Sequence, residues 1–242
     1  VEENELKRQY LLTELEKAGE IEPGNAFYPL MQANILGQAS TREEKPAKKG
    51  DPVKIIITDQ DSFEKAMNIY LEAIQKPYLR TYQDQMNAVR LAILDCPPNL
   101  AGRLEKITNS AAILLPELRR LRILSPYAIT RGVQLEKEGK TAEAAQYLNS
   151  WKPLAKLMND NNYTLIGVMV TDAMLKRHAI AAEGRGDLAR YEEIAKVRKP
   201  FENWRNGTDY AISDIRKHGG IASQMLLPTL RDPIMVEKMA PE

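Results

Sequence analysis

Apolar residues recur at three- and four-residue intervals along most of this chain, and the pattern predicts a succession of helices, each with one side to bury. Glu2 to Ala18 carries Leu6, Tyr10, Leu11, Leu12 and Leu15 among charges, with Gly19 as its stop. Glu22-Pro23-Gly24-Asn25 turns the chain into a helix over 26–38, whose face is Phe27, Leu30, Met31, Ala33, Asn34 and Leu36. Residues 40–52 are polar with two prolines and a glycine, which predicts a mobile loop. Val53 to Thr58 is the one strongly β-branched run. Without an evident partner strand it reads as a loop anchored by isoleucines. Thr58-Asp59 then supplies cap residues for a helix bearing Phe63, Ala66, Met67, Tyr70, Leu71, Ala73 and Ile74.

A further helix is expected from Tyr78 to Leu94, broken by Cys96-Pro97-Pro98. Leu100 to Leu124 is a long helical pattern interrupted by Pro116, which predicts a kink or break near Leu114-Leu115. Ser125-Pro126 opens a central hairpin. Its first helix carries Ile129, Gly132, Val133 and Leu135, and its second carries Ala144, Ala145, Leu148, Leu154, Ala155 and Leu157. Gly139 is placed to end the first helix and Thr141 to cap the second. Tyr163 to Ala182 is the most apolar helix and is expected to be the buried one. Leu188 to Trp204 is its partner, ending near Asn206-Gly207, with one more short helix to Lys217. The fold class expected is all-α, an irregular stack of antiparallel helix hairpins with about nine or ten helices. Residues 1–207 form one repeat domain with 40–58 as an inserted loop, and 208–242 form a tail that packs on the body or leads elsewhere.

The central hairpin resembles a tetratricopeptide repeat, a helix pair of about 34 residues. Gly132, Gly139 and Ala144 fall at that family's two glycine positions and its central alanine, and Leu135, Glu143 and Leu148 also fit. The pattern departs at Arg131, where the family has leucine, at Trp151, where it has a small residue, and at Lys156, where it has proline. A second match lies earlier. Pro23 and Asn25 resemble the inter-repeat turn, Ala33 and Leu36 the first helix, and Phe63, Ala66, Tyr70, Ala73 and Pro77 the second. The resemblance implies that helices 26–38 and 61–75 pack antiparallel despite the long link. It also implies a concave surface lined by first helices, where a protein or peptide partner binds. Phe27, Leu30, Asn34 and Gln38 would line it in one unit, and Ile129, Val133, Glu136 and Lys137 in the other. Asn34 matches the family's peptide-clamping asparagine, but Leu30 stands where the clamp has lysine, so recognition of a C-terminal carboxylate is not supported.

Composition narrows the chemistry. A net charge of +1 offers no field to recruit nucleic acid, and the Arg119-Arg120-x-Arg122 patch, beside Glu117, reads as a solvated face. The single cysteine, Cys96, excludes an internal disulfide and a cysteine-rich zinc site and reads as a structural thiol. His178 and His218 lack any metal-ligand spacing; His178 reads as the polar end of a helix and His218 as a turn residue. The glycines of Gly184-x-Gly186 and Gly219-Gly220 read as helix-ending turns, and the methionines as packing residues. Trp151 and Trp204 end apolar stripes near polar groups. No cofactor is expected. The favoured reading is a non-catalytic binding or scaffold module. An α-helical enzyme with an unrecognised carboxylate site and the ectodomain of a membrane-tethered protein are the alternatives. Val1 in place of Met predicts a processed or shortened chain, which leaves the compartment open, and a bacterial envelope is slightly favoured over the cytoplasm.

Overall fold

The protein is all-α. A computed structural model describes residues 2–44, 54–82, 116–161 and 165–218, together with 85, 86, 89, 92 and 93. Among them the helices are α1 (Glu2–Ile21), α2 (Phe27–Ala39), α3 (Gln60–Ala73), α4 (Pro116–Lys137), α5 (Thr141–Leu148), α6 (Trp151–Asn161), α7 (Leu165–Gly184) and α8 (Leu188–His218). A small antiparallel ribbon, β1 (Thr41–Glu44) with β2 (Lys54–Ile57), links α2 to α3.

That ribbon corrects two expectations. The start of the polar stretch is a strand, and it supplies the partner that the isoleucine run lacked: Thr41 pairs with Ile57 and Glu43 with Ile55. Period-two alternation explains the pairing, since Ile55 is buried while Lys54 is exposed. The part of the expected mobile loop at 45–53 lies outside the described residues.

Helices α2 and α3 pack against each other, and hydrogen bonds at both ends make them antiparallel. The Ser40 carbonyl after α2 accepts from the Thr58 and Asp59 amides before α3, at 2.9 and 3.2 Å. At the opposite end Ala26 N donates to the Tyr78 carbonyl at 2.8 Å. Asp59 caps α3 by accepting from Ser62 N, and Asn25 Oδ1 accepts from Phe27 N at the start of α2, as their residue types predict.

Several predicted ends move. Helix α1 runs through Gly19 to Ile21, because a glycine weakens a helix without stopping it; Pro23 and Gly24 do that. Of its stripe, Leu6, Tyr10 and Leu11 are exposed, and only Leu12 and Leu15 are half-buried. The helix expected from Tyr78 begins later: 78–82 is irregular and bonded to the α1–α2 turn, and helical positions resume at 85. Helix α4 is described from Pro116, so the kink expected near Leu114-Leu115 lies outside the described residues, and the helix continues through Pro126, which does not open the hairpin. Likewise α8 does not stop near Asn206 but passes Gly207 and is helical to His218, the last described residue. Residues 94–115, with Cys96, and 219–242 lie outside the described residues.

The central hairpin is α4 and α5. Gly139 takes φ +78°, which a residue with a Cβ rarely adopts, and so ends α4. Thr141 is the first residue of α5, and no side chain caps that helix. The second half of the predicted partner helix is a separate element. Asn149-Ser150 breaks it, and α6 packs on α7 while α5 packs on α4. Gly132 lets α4 and α5 close up, since a Cβ there would sit 2.6 Å from Leu148 Cγ.

One continuous core joins Leu30, Phe63, Met67 and Tyr70 to Leu121, Leu124, Tyr127, Leu135 and Leu148, and a smaller cluster gathers Trp151, Leu175, Ala179 and Ile194. Helix α7 is wedged among α4, α6 and α8 and tied to α8 by a buried pair, Arg198 Nε to Asp172 Oδ1 at 2.9 Å. It is nonetheless less buried than its composition predicts, because Met169 and Ile180 face outward. Met67, Met158 and Met174 pack in the core as expected, whereas Met86 joins Met169 in being exposed.

Polar residues cross the seam between the two hairpins. Arg131, at the position where a leucine was expected, is buried and meets Glu64 of α3 at 3.0 Å and Gln134 at 3.1 Å. Asn34 Nδ2 donates to the Arg120 carbonyl at 3.0 Å, and Tyr70 Oη to Ser150 Oγ at 2.9 Å.

Two substitutions test this packing. Gly132→Ala should destabilise the chain by ~1–3 kcal/mol through overpacking against Leu148, read as a lower urea midpoint with an unchanged m-value. Arg131→Ala removes the ion pair and empties the buried space its side chain fills, and should cost ~2–3 kcal/mol, whereas Arg131→Met, which refills the space, should cost less than half of that.

Candidate functional site

The structure separates the residues expected on the partner-binding face. Leu30 and Asn34 have no exposed surface: Leu30 lies in the core, and the Asn34 amide is spent on the Arg120 carbonyl. Phe27, Ile129 and Val133 are half-buried, and Phe27 packs against the core and stacks edge-on with Tyr28. Gln38, Glu136 and Lys137 are exposed. Glu136 is engaged with Arg185, whose Nε lies 3.6 Å from its Oε2.

A concavity does form between the hairpins, but between their second helices. A groove of about 420 Å³ is walled by Leu71, Glu72, Ile74 and Gln75 at the end of α3 and by Gln146, Asn149, Ser150 and Pro153 around the α5–α6 break. The break makes it. Had 142–158 continued as one helix, the turn of Asn149 and Ser150 would not open beside α3. Leu71, Ile74 and Pro153 give an apolar floor and wall, Gln75 and Gln146 are exposed amides, and Glu72 is an exposed carboxylate. This surface was missed in the sequence, although Asn149-Ser150 followed by Pro153 carries the signal of a helix end and restart.

Two polar constellations lie away from the groove. At the α1–α2 turn, the Glu22 carboxylate accepts from Asn25 Nδ2 at 3.0 Å, Tyr78 Oη at 3.1 Å and Tyr28 Oη at 3.2 Å, and it also bonds Tyr82. The Asn25 amide bond leads in holding that carboxyl below its usual range. Asn25, fully buried, also grips the Arg80 backbone at both N–H and C=O, at 2.9 Å each. Arg80 lies over the rings of Tyr78 and Tyr82 at 5.6 and 5.8 Å. Tyr82 sits at φ +59°, a left-handed conformation unusual for an aromatic residue, and its bonds to Glu22 and Arg80 hold it there. With every member paired to a neighbour, this cluster is a clasp between chain segments.

The second constellation surrounds His178. Contrary to the expectation of a helix end, His178 lies within α7 and is 3% exposed. Burial, with Arg185 and Arg190 beside it, pushes its pKa from 6.5 down to about 3, against the effect of a hydrogen bond to the Leu148 carbonyl. Arg190 Nε donates to Asn149 Oδ1 at 3.0 Å, and its Nη1 lies 2.6 Å from Asp187 Oδ2. Gly186, at φ +72°, forms the turn that brings Arg185, Asp187 and Arg190 together, so the helix-ending reading of this glycine pair holds. Trp151 is buried in the smaller core cluster rather than lining the groove. Arg120 and Arg122 are exposed. Among the described residues no helix is long and apolar enough to cross a membrane, and no three candidate ligands converge as a metal centre would need.

Comparison with family models, with curated proteins and with solved structures found no match to this chain. Functional inference therefore begins from the geometry alone.

A neutral buried His178 has a consequence for stability against pH. The unfolded chain takes up its proton near pH 6.5 and the folded chain only near 3, so stability is complete above 6.5 and is lost as pH falls toward 3. Its contribution should be a slope of up to ~1.4 kcal/mol per pH unit across that window. Urea midpoints at pH 7.5, 6.5 and 5.5 should fall progressively for the native chain and less steeply for His178→Gln.

Proposed function

We propose that this chain is a non-catalytic module that binds a protein or peptide segment, built of tetratricopeptide-like helix pairs. The close α4–α5 contact at Gly132, the left-handed Gly139 and the buried Ala144 support the likeness, since all three stand at positions where that repeat uses small residues. The observation that carries the binding role is the groove beside the α5–α6 break. It has apolar side chains in Leu71, Ile74 and Pro153 beside the exposed amides of Gln75 and Gln146, so an apolar anchor and a peptide backbone can both be satisfied there. Gln38 and Lys137, exposed on the first helices, form the competing surface.

Peptide display against the intact chain tests the proposal. Selected peptides should bind the native protein and lose at least about tenfold in affinity, ~1.4 kcal/mol, for the double variant Gln75→Arg/Gln146→Arg, which crowds the groove without touching the core. Gln38→Arg/Lys137→Glu should bind as the native chain does. Failure to enrich any peptide, or loss of binding only in the second variant, would reject the groove as the site.

A further inference from the structure

Beneath the turn between α7 and α8, three elements turn polar groups toward one another and leave some of them without partners. His178 Nε2 is buried and makes no hydrogen bond, which leaves Nδ1 to donate to the Leu148 carbonyl. Arg185 is four-fifths buried at its side chain, yet its guanidinium makes no hydrogen bond among the described residues. Its nearest carboxylate oxygens, of Glu136 and Asp187, are 3.6 and 4.0 Å away, too far and too loose to satisfy five donors. Arg190 stands beside them with Asp187. A buried polar atom without a partner is costly, so the unpartnered His178 Nε2 and Arg185 Nη1 call for an occupant that accepts several hydrogen bonds.

We infer that this cluster of Arg185, Arg190 and His178 is a binding site for a small oxyanion, whose entry is coupled to uptake of one proton by His178. Bidentate contact with the Arg185 fork suits the planar or tetrahedral oxygens of a carboxylate, sulfate or phosphate. The proton goes to His178 Nε2, which then donates to the anion instead of standing empty. Without an anion the imidazole stays neutral, first because it is buried and then because the charges of Arg185 and Arg190 act on it. A negative charge placed between them reverses that balance. The charged groups around His178 are Arg185, Arg190 and, through them, Glu136 and Asp187, while the α5–α6 connection contributes the uncharged Leu148 carbonyl and the Asn149 amide. The cluster adjoins the groove at Asn149, which lines the groove and accepts from Arg190, but none of His178, Arg185 and Arg190 lines the groove.

Sulfate is the probe of choice, since it does not itself titrate between pH 5 and 8, and formate tests the carboxylate form. In calorimetry on the intact chain at constant ionic strength, sulfate should bind saturably and more tightly at lower pH, by up to about tenfold per pH unit wherever His178 is protonated in the complex and neutral in the free chain. Titrations in two buffers of different ionisation enthalpy should show proton uptake approaching one per sulfate at pH 7. The His178 side-chain nitrogen resonances should move from neutral imidazole to imidazolium as sulfate is added. Arg185→Gln should abolish these effects while keeping the native circular dichroism spectrum. A planar site prefers formate and a tetrahedral one sulfate, so their relative affinities assign the anion class. The inference is overturned by the absence of saturable binding, by binding that survives Arg185→Gln, or by affinity that is equal at pH 6 and 8 without proton uptake.

Discussion

The fold depends on how closely α4 can approach the hairpin of α2 and α3. Tyr127 of α4 is almost wholly buried, and its ring sits where a Cβ on Gly37 would fall, 2.7 Å away. The same ring meets Phe63 of α3 edge-on, at 6.1 Å between centroids, and its hydroxyl is bonded to Thr41 of β1. One side chain thus touches two helices and the ribbon, and only a glycine beneath it permits that approach. Asn34, Arg131 and Tyr70 then cross the same seam with hydrogen bonds or ion pairs. Apolar packing sets the distance between the hairpins, and the polar pairs set their register, because a slip along the helix axes would leave each of them buried and unpaired.

Much of this architecture was legible in the residues. Helix periodicity, the Asp59 and Asn25 caps and the Gly139 stop follow from local chemistry that tertiary structure left in place. The antiparallel pairing of α2 and α3 was legible through a repeat-like pattern at Ala33, Phe63, Ala66 and Tyr70, residues whose small or flat side chains suit a close helix contact. What escaped were features decided by non-local partners. No local rule shows that Thr41–Glu44 and Lys54–Ile57 would pair across a polar stretch. Likewise Pro126 read as the opening of the hairpin, yet the helix runs through it.

The candidate site was less legible than the fold, for a definite reason. A repeat pattern locates small residues at helix crossings, and from these it assigns the remaining faces by analogy. Here the seam consumed Leu30 and Asn34, so two positions that an exposed face would use became internal. The open surface moved to the other side of the hairpins, where the short α5 ends at Asn149. His178 escaped for a similar reason: one histidine on an apolar helix is mute until Arg185 and Arg190 are folded back over it by the Gly186 turn.

The pins that hold distant segments together share a habit. Asn34 holds the carbonyl of residue 120, Asn25 both backbone groups of residue 80, and His178 the carbonyl of residue 148. In each case a side chain on one partner grips main chain on the other. Tolerance to substitution is therefore lopsided across these joints: replacing an asparagine or the histidine removes the bond, while the amino acids they grasp can change so long as the backbone keeps its course.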